Sequence, residues 1–240
     1  MKILVTGCAG FLGFFIAQKL LEQGHCVFGV DDLNAYYPPH WKRARLDKLQ
    51  TFGQFRFRQL DLAEPEAAAE VFRSWGPFDR VIHMAAQAGV RHSLKDPLRY
   101  AHCNLVAFTQ LLEACRISGC PHLLYASSSS VYGEVKMDKP LSTDLPADRP
   151  LSFYGATKRA NELMAFSYSH LYQLPTTGVR YFTVYGPWGR PDMAYFSFTR
   201  ALFRDEPIRL FGHGQALRDF TFIADAVEAT LRLLALPPQA

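Results

Sequence analysis

The chain has 240 residues, of which 49% are hydrophobic and 20% charged, with a formal net charge of +4. This length and balance suit a globular protein with a substantial core, and they exclude a disordered, collagen-like or small disulfide-stapled chain. The positive charge is scattered except at Lys42, Arg43, Arg45 and Lys48, a run that reads as a solvated helix face rather than a nucleic-acid patch.

Ile3–Thr6 reads as a strand that runs straight into glycines, which is not the pattern of a signal peptide. Phe11–Gln23 reads as a helix and Cys26–Asp31 as the next strand. Strands follow at Phe55–Leu60 and Arg80–Met84, with a helix near Glu64–Arg73 between them. Leu98–Ser118 reads as one long helix, His122–Ala126 as a strand, Phe153–Tyr172 as a helix and Thr176–Tyr181 as a strand. Strands apolar throughout, alternating with helices, predict an α/β fold with a doubly wound parallel sheet of the Rossmann type. Beyond Tyr181 prolines and glycines cluster. The shorter elements Tyr195–Arg204, Ile208–Phe211 and Ile223–Leu236 read as the start of a smaller lobe over the sheet's carboxyl edge. The expected division is a cofactor domain over 1–182 and lobe elements over 183–240. No apolar run approaches membrane-spanning length. The five cysteines (Cys8, Cys26, Cys103, Cys115, Cys120) show no CxxC and read as reduced, which suits the cytoplasm.

Gly7, Gly10 and Gly13 follow the first strand and open a helix with GxxGxxG spacing. In that context a glycine loop lets backbone N–H groups of the first turn, including Phe11 and Leu12, approach a dinucleotide pyrophosphate; the plainer reading is a glycine-rich βα turn. Asp31 ends the second strand, where a carboxylate binds adenosine ribose hydroxyls and repels a 2′-phosphate, so NAD is favoured over NADP. Asp32 and Asn34 stand beside it. Asp61 and Leu62 either meet the adenine or form an N-cap and turn. Ala85, Ala86 and Gln87 either let backbone pass against a cofactor or form a tight loop. Asn104 either fixes a kink near the site or is exposed. Tyr181 ends the last strand on the same side. No metal site is expected.

Tyr154 and Lys158 are spaced i, i+4 on a helix and share one face. A phenol with a pKa near 10 is a poor base at neutral pH, and an adjacent ammonium together with an oxidised nicotinamide would lower it. Lys158 can also reach the nicotinamide ribose. A serine of the run Ser127–Ser130 can share an alcohol proton.

With these residues in place the chain resembles the extended short-chain dehydrogenase/reductase family, and within it the UDP-glucuronate 4-epimerases. The matching stretches are Asp32–Tyr37 (DLNAYY), Ala86–Arg91 (AQAGVR), Ser127–Gly133 (SSSSVYG), Arg180–Asp192 (RYFTVYGPWGRPD) and Arg218–Thr221 (RDFT). The resemblance covers essentially the whole chain. It implies Tyr154 as base, Lys158 as its partner and Ser128 as the assisting hydroxyl. It also implies sugar contacts from Arg91, Ser129, Thr183 and Arg190, and a diphosphate contact from Arg218; as bare residues, Arg190 and Arg218 are equally surface arginines. The implied reaction is NAD-dependent inversion at C4 of UDP-glucuronate through a 4-keto sugar. A UDP-glucose 4-epimerase, a nucleotide-sugar dehydratase or decarboxylase, and a non-catalytic NAD-binding protein are the other readings. Against dehydration, Ser129 and Ser130 stand where related dehydratases carry an Asp-Glu pair. Family chains run well past position 240, so the resemblance implies that the nucleotide-sugar lobe is incomplete within these residues. It further implies a homodimer through a four-helix bundle, with Phe108, Leu111 and Leu112 facing either the sheet or the partner.

Overall fold

The computed structural model describes residues 1–134, 140–208, 210, 214 and 217–238. Its elements in chain order are β1 (Lys2–Thr6), α1 (Phe11–Glu22), β2 (Cys26–Asp31), α2 (His40–Gln50), β3 (Phe55–Gln59), α3 (Ala67–Trp75), β4 (Arg80–His83), α4 (Pro97–Ala101), α5 (Ala107–Ile117), β5 (Leu123–Ser128), α6 (Phe153–Tyr172), β6 (Thr176–Tyr181), β7 (Thr183–Tyr185), α7 (Ala194–Phe203), β8 (Phe220–Phe222) and α8 (Ile223–Ala235).

Strands β1 to β6 pair in parallel in the order β3-β2-β1-β4-β5-β6. The winding direction reverses between β1 and β4, and open α/β sheets bind ligands at the carboxyl ends of such a switch point. Two apolar layers explain why the strands are hydrophobic on both faces. Ile3, Val5, Val27 and Ile82 pack with Phe14 and Ile16 of α1 and with Ile223 and Val227 of α8. Leu4, Val30, Val81 and Leu123 pack on the other side with Val71 and Phe72 of α3 and Phe108, Leu111 and Leu112 of α5. These last three side chains therefore face the sheet.

Three expectations change. The stretch Leu98–Ser118 is not one regular helix: α4 and α5 are joined by a π-helical turn at His102–Val106. The basic run is only in part a solvated face: Arg43 and Lys48 are exposed, but Lys42 and Arg45 of α2 are buried, Arg45 with no exposed surface. The element expected over Ile208–Phe211 reaches positions 209 and 211, outside the described residues. Past the sheet, β7 and β8 form a short parallel pair, and α8 returns to cover α1.

Candidate active site

The turn after β1 is built by two close approaches. Gly7 has a φ of +68°, and a Cβ there would lie 2.6 Å from the Ala85 nitrogen; a Cβ on Gly13 would lie 2.1 Å from the Gly7 carbonyl oxygen. Both positions require glycine, and together they press α1 against the sheet edge. Gly10, the N-cap, offers no side-chain cap, and the first turn carries no acidic residue. The N–H groups at that end are left for an anion, with the helix dipole in support. This fits a dinucleotide pyrophosphate.

The cleft above this turn has a cavity volume of about 250 Å³ and is partly open to solvent. Gly7, Gly10, Phe11, Leu12 and Gly13 line its floor, and Asp31, Asp32, Asn34, Asp61 and Leu62 line one end. Asp31 is buried; its carboxylate accepts from Ala9 N at 3.1 Å and Leu33 N at 2.9 Å. Burial pushes its pKa up, opposed by the Lys42 ammonium 3.7 Å away. Lys42 stands equally near Asp32, which also accepts from Arg99 at 3.0 Å and from the Asn34 side chain. Lys42, a basic residue of α2 that looked solvated, thus holds the acidic pair at the end of β2. Asp61 caps its own turn through Ala63 N at 3.0 Å and lines the cleft.

Ala85, Ala86 and Gln87 form the wall above β4. Ala85 N donates to Thr6 Oγ1, which shares a 2.7 Å hydrogen bond with His83 Nδ1. Asn104 is not part of the wall. Its side chain is consumed inside the protein, accepting from Gln87 N at 2.8 Å and donating to Gln87 O and Thr157 Oγ1. The π turn brings it there, and π turns are frequent beside functional sites. Its expected place among the cofactor contacts is corrected to that of a support for Gln87.

At the other end, Ser152 caps α6 by accepting from Gly155 N at 3.0 Å, which sets Tyr154 in the first turn and Lys158 one turn deeper. Both line the cleft with Ser128, the last residue of β5. Strand alternation separates the serines: Ser127 donates to Glu162 at 2.6 Å behind the site, while Ser128 lines the cleft with Tyr154, its Oγ accepting from Ser130 N at 3.1 Å. Lys158 Nζ donates to the Ala126 carbonyl at 2.8 Å, and burial lowers its pKa to about 8. Burial raises the Tyr154 pKa; the opposing influences are the Arg190 guanidinium and the Ser128 hydroxyl. Among the charged side chains of the described residues, the Arg190 guanidinium is the one that opposes this rise. Tyr181 lines the cleft with its ring, its hydroxyl held 2.6 Å from Thr230.

Of the expected sugar-side residues, Arg190 lines the cleft and the others do not. Ser129 is turned away by the 3-10 turn that starts there. Thr183 opens β7, its N–H tied to the Asp219 carbonyl at 3.3 Å. Arg91 lies on the exposed loop before His92. Arg218 is exposed, its guanidinium folded onto the Leu217 carbonyl at 2.6 Å. Sequence reasoning passed over Tyr36, Lys42, Arg45 and Asp192. Tyr36 and Asp192 stood inside matched stretches, but no spacing signals that they meet.

The family described as NAD dependent epimerase/dehydratase matches residues 3–239. The chain is 50% identical over 239 residues to Protein CapI of Staphylococcus aureus, covering 99% of this chain and 70% of that protein. It is 44% identical over 238 residues to the probable UDP-glucuronate 4-epimerase of Rhizobium meliloti, covering 99% and 69%. Among solved structures it superposes with a TM-score of 0.91 on the UDP-glucuronic acid 4-epimerase of Bacillus cereus in complex with UDP-glucuronic acid and NAD. That match has 37% identity and covers 98% of this chain and 73% of the other.

Proposed function

The chain belongs to the NAD-dependent epimerase/dehydratase family, and on that premise we propose that it interconverts UDP-glucuronate and UDP-galacturonate by inversion at C4. The observation that carries this reading is one cleft holding both an uncapped helix N-terminus and the Ser128, Tyr154, Lys158 and Arg190 side chains.

NAD, held in this cleft by the glycine turn and Asp31, would supply the acceptor and donor of the C4 hydride. The protein's residues handle the proton and the orientation. Tyr154 accepts the O4 proton as the C4 carbonyl forms and gives it back on return; Ser128, lining the same cleft, shares the proton. Lys158, held by Ala126, presents its remaining N–H bonds to the nicotinamide ribose and keeps a positive charge at neutral pH. Gly7, Gly10, Gly13 and the first turn of α1 hold the pyrophosphate, and Asp31 with Asp32 the adenosine ribose.

A C4 ketone next to C5, which bears the carboxylate, makes the intermediate a β-keto acid. If the C5–C6 bond stands perpendicular to the carbonyl plane it breaks. Its electron pair passes into an enolate, C5 takes up a proton and CO2 leaves. Arg190 holds the carboxylate out of that geometry, a task that suits a planar fork of donors.

Residues 1–182 form the cofactor domain and 183–240 the lobe elements, with α8 returning to the sheet. The protein pairs as a homodimer through α5 and α6. This is supported by Leu163 and Phe166, more than half exposed, on α6, and by Leu98 and Val106, exposed in the segment before α5. Five free thiols favour a cytoplasmic setting.

Incubation of UDP-glucuronate with the NAD-loaded protein, followed by proton NMR, tests the reaction. UDP-galacturonate should accumulate to an equilibrium mixture, and Tyr154→Phe should abolish it with bound NAD retained. Turnover of UDP-glucose in place of the acid, or unimpaired turnover by Tyr154→Phe, would refute it.

A further inference from the structure

The loop that carries Arg190 is held by the segment that follows β2. Arg190 gives Nε to Asp192 Oδ1 at 3.0 Å and Nη2 to Asp192 Oδ2 at 2.6 Å. The same Oδ2 accepts from the Tyr36 hydroxyl at 3.1 Å. Tyr36 is itself fixed. Its backbone N–H donates to Asn34 Oδ1 at 3.1 Å, and its ring sits 4.9 Å from that of His92. Burial and the facing carboxylate push its phenol up to about 12, so it remains a donor throughout the neutral range. A second strut lands two residues before Arg190. The buried Arg45 donates Nη2 to the Trp188 carbonyl at 2.6 Å and Nη1 to the Ala9 carbonyl at 3.0 Å and the Tyr37 hydroxyl at 2.9 Å. The arginine loop is thus tied at two points to the wall of the cofactor site.

We propose that Asp192, anchored by Tyr36, is a positioning residue that sets the preference for an acidic sugar by holding the Arg190 guanidinium in place beside Tyr154. The proposal rests on the reading of Arg190 as the partner of the sugar carboxylate. A guanidinium on a free stem loses rotamer freedom each time it engages a ligand; one already gripped through two donors has lost that freedom on folding. With Nε and Nη2 committed to Asp192, the Nη1 edge is the one left for a ligand. Tyr36 carries the constraint into the β2 loop, where Asn34 is bonded to Asp32. The segment that meets the adenosine end of the cleft is therefore the segment that aims the sugar-side arginine.

The test is calorimetric binding of UDP-glucuronate and of UDP-glucose to NAD-loaded wild type, Asp192→Asn, Asp192→Glu, Tyr36→Phe and Arg190→Ala. Asp192→Asn should lower the ratio of acid to neutral-sugar affinity about tenfold, and Tyr36→Phe, which changes no charge, about threefold in the same direction. Asp192→Glu should recover part of the loss. Tighter binding of the acid by Asp192→Asn would mean that the carboxylate opposes Arg190 rather than aims it, and an unchanged ratio in both Asp192→Asn and Tyr36→Phe would mean that it does neither; each overturns the proposal. If Arg190→Ala leaves the ratio unchanged, the reading of Arg190 fails and the positioning role falls with it. A ratio moved by Arg190→Ala but by neither of the other two removes the positioning role alone.

Discussion

The ammonium of Lys158 donates to the backbone carbonyl of Ala126 at 2.8 Å, two residues before Ser128, which lines the cleft with Tyr154. One interaction therefore joins the second turn of α6 to the end of β5 and sets the distance between the proton-handling groups. Burial lowers the Lys158 pKa to about 8 from an ordinary 10.5, so the charged form is disfavoured by folding. The folded-state value lies below the unfolded one. The penalty is fully present below about pH 8 and disappears as the pH rises past 10.5. Lys158→Met should accordingly melt no lower than wild type at pH 7 while losing at least about 100-fold in turnover. Calorimetric melting beside NMR assay checks both; a variant that is destabilised and fully active would contradict this role.

Arg190→Ala should release the sugar carboxylate. The expected result is a UDP-4-keto-pentose product by mass spectrometry, together with reduced cofactor visible near 340 nm, roughly one equivalent per CO2 lost. Clean epimerisation at the wild-type rate would remove Arg190 from the account.

His83 lies at the carboxyl end of β4, fully enclosed and hydrogen-bonded to Thr6. Burial, with Lys158 nearby, lowers its pKa to about 3. The unfolded chain takes up a proton near pH 6.5 that the folded protein refuses. Stability should therefore fall as pH drops below 6.5, by at most about 1.4 kcal/mol per unit from this one group. His83→Gln should lose roughly 1.5 kcal/mol less than wild type between pH 6.5 and 5 in urea titrations. Identical pH dependence in the two proteins would show that the imidazole is not held neutral.

Phe166 is 71% exposed on α6. Phe166→Glu should convert a dimer to a monomer in sedimentation velocity without lowering the melting temperature by more than about 2 °C. A wild type that sediments as a monomer at micromolar concentration would dispose of the four-helix interface.

Where one short stretch contains its own cause, the sequence was legible. The bounds of β2, α6 and β6 coincide with the expected spans because apolar runs and helix periodicity are local properties. The glycine loop and the Tyr154/Lys158 pair are read for the same reason. What stayed hidden depends on partners remote in sequence. The π turn at Asn104 exists to reach Gln87 and Thr157. Lys42 and Arg45 look like solvent-facing charges until Asp31, Asp32 and the Trp188 carbonyl close around them. Arg218, a motif residue, is exposed just before β8, its guanidinium on the Leu217 carbonyl.

The central claim, that the C4 hydrogen leaves and returns within one cleft while Tyr154 moves only the hydroxyl proton, is tested most directly with UDP-glucuronate deuterated at C4 and incubated with the protein in ordinary water. The account predicts that the UDP-galacturonate formed keeps its deuterium at C4. Loss of the label to solvent would mean that inversion proceeds by exchange of a carbon-bound proton, and would contradict it.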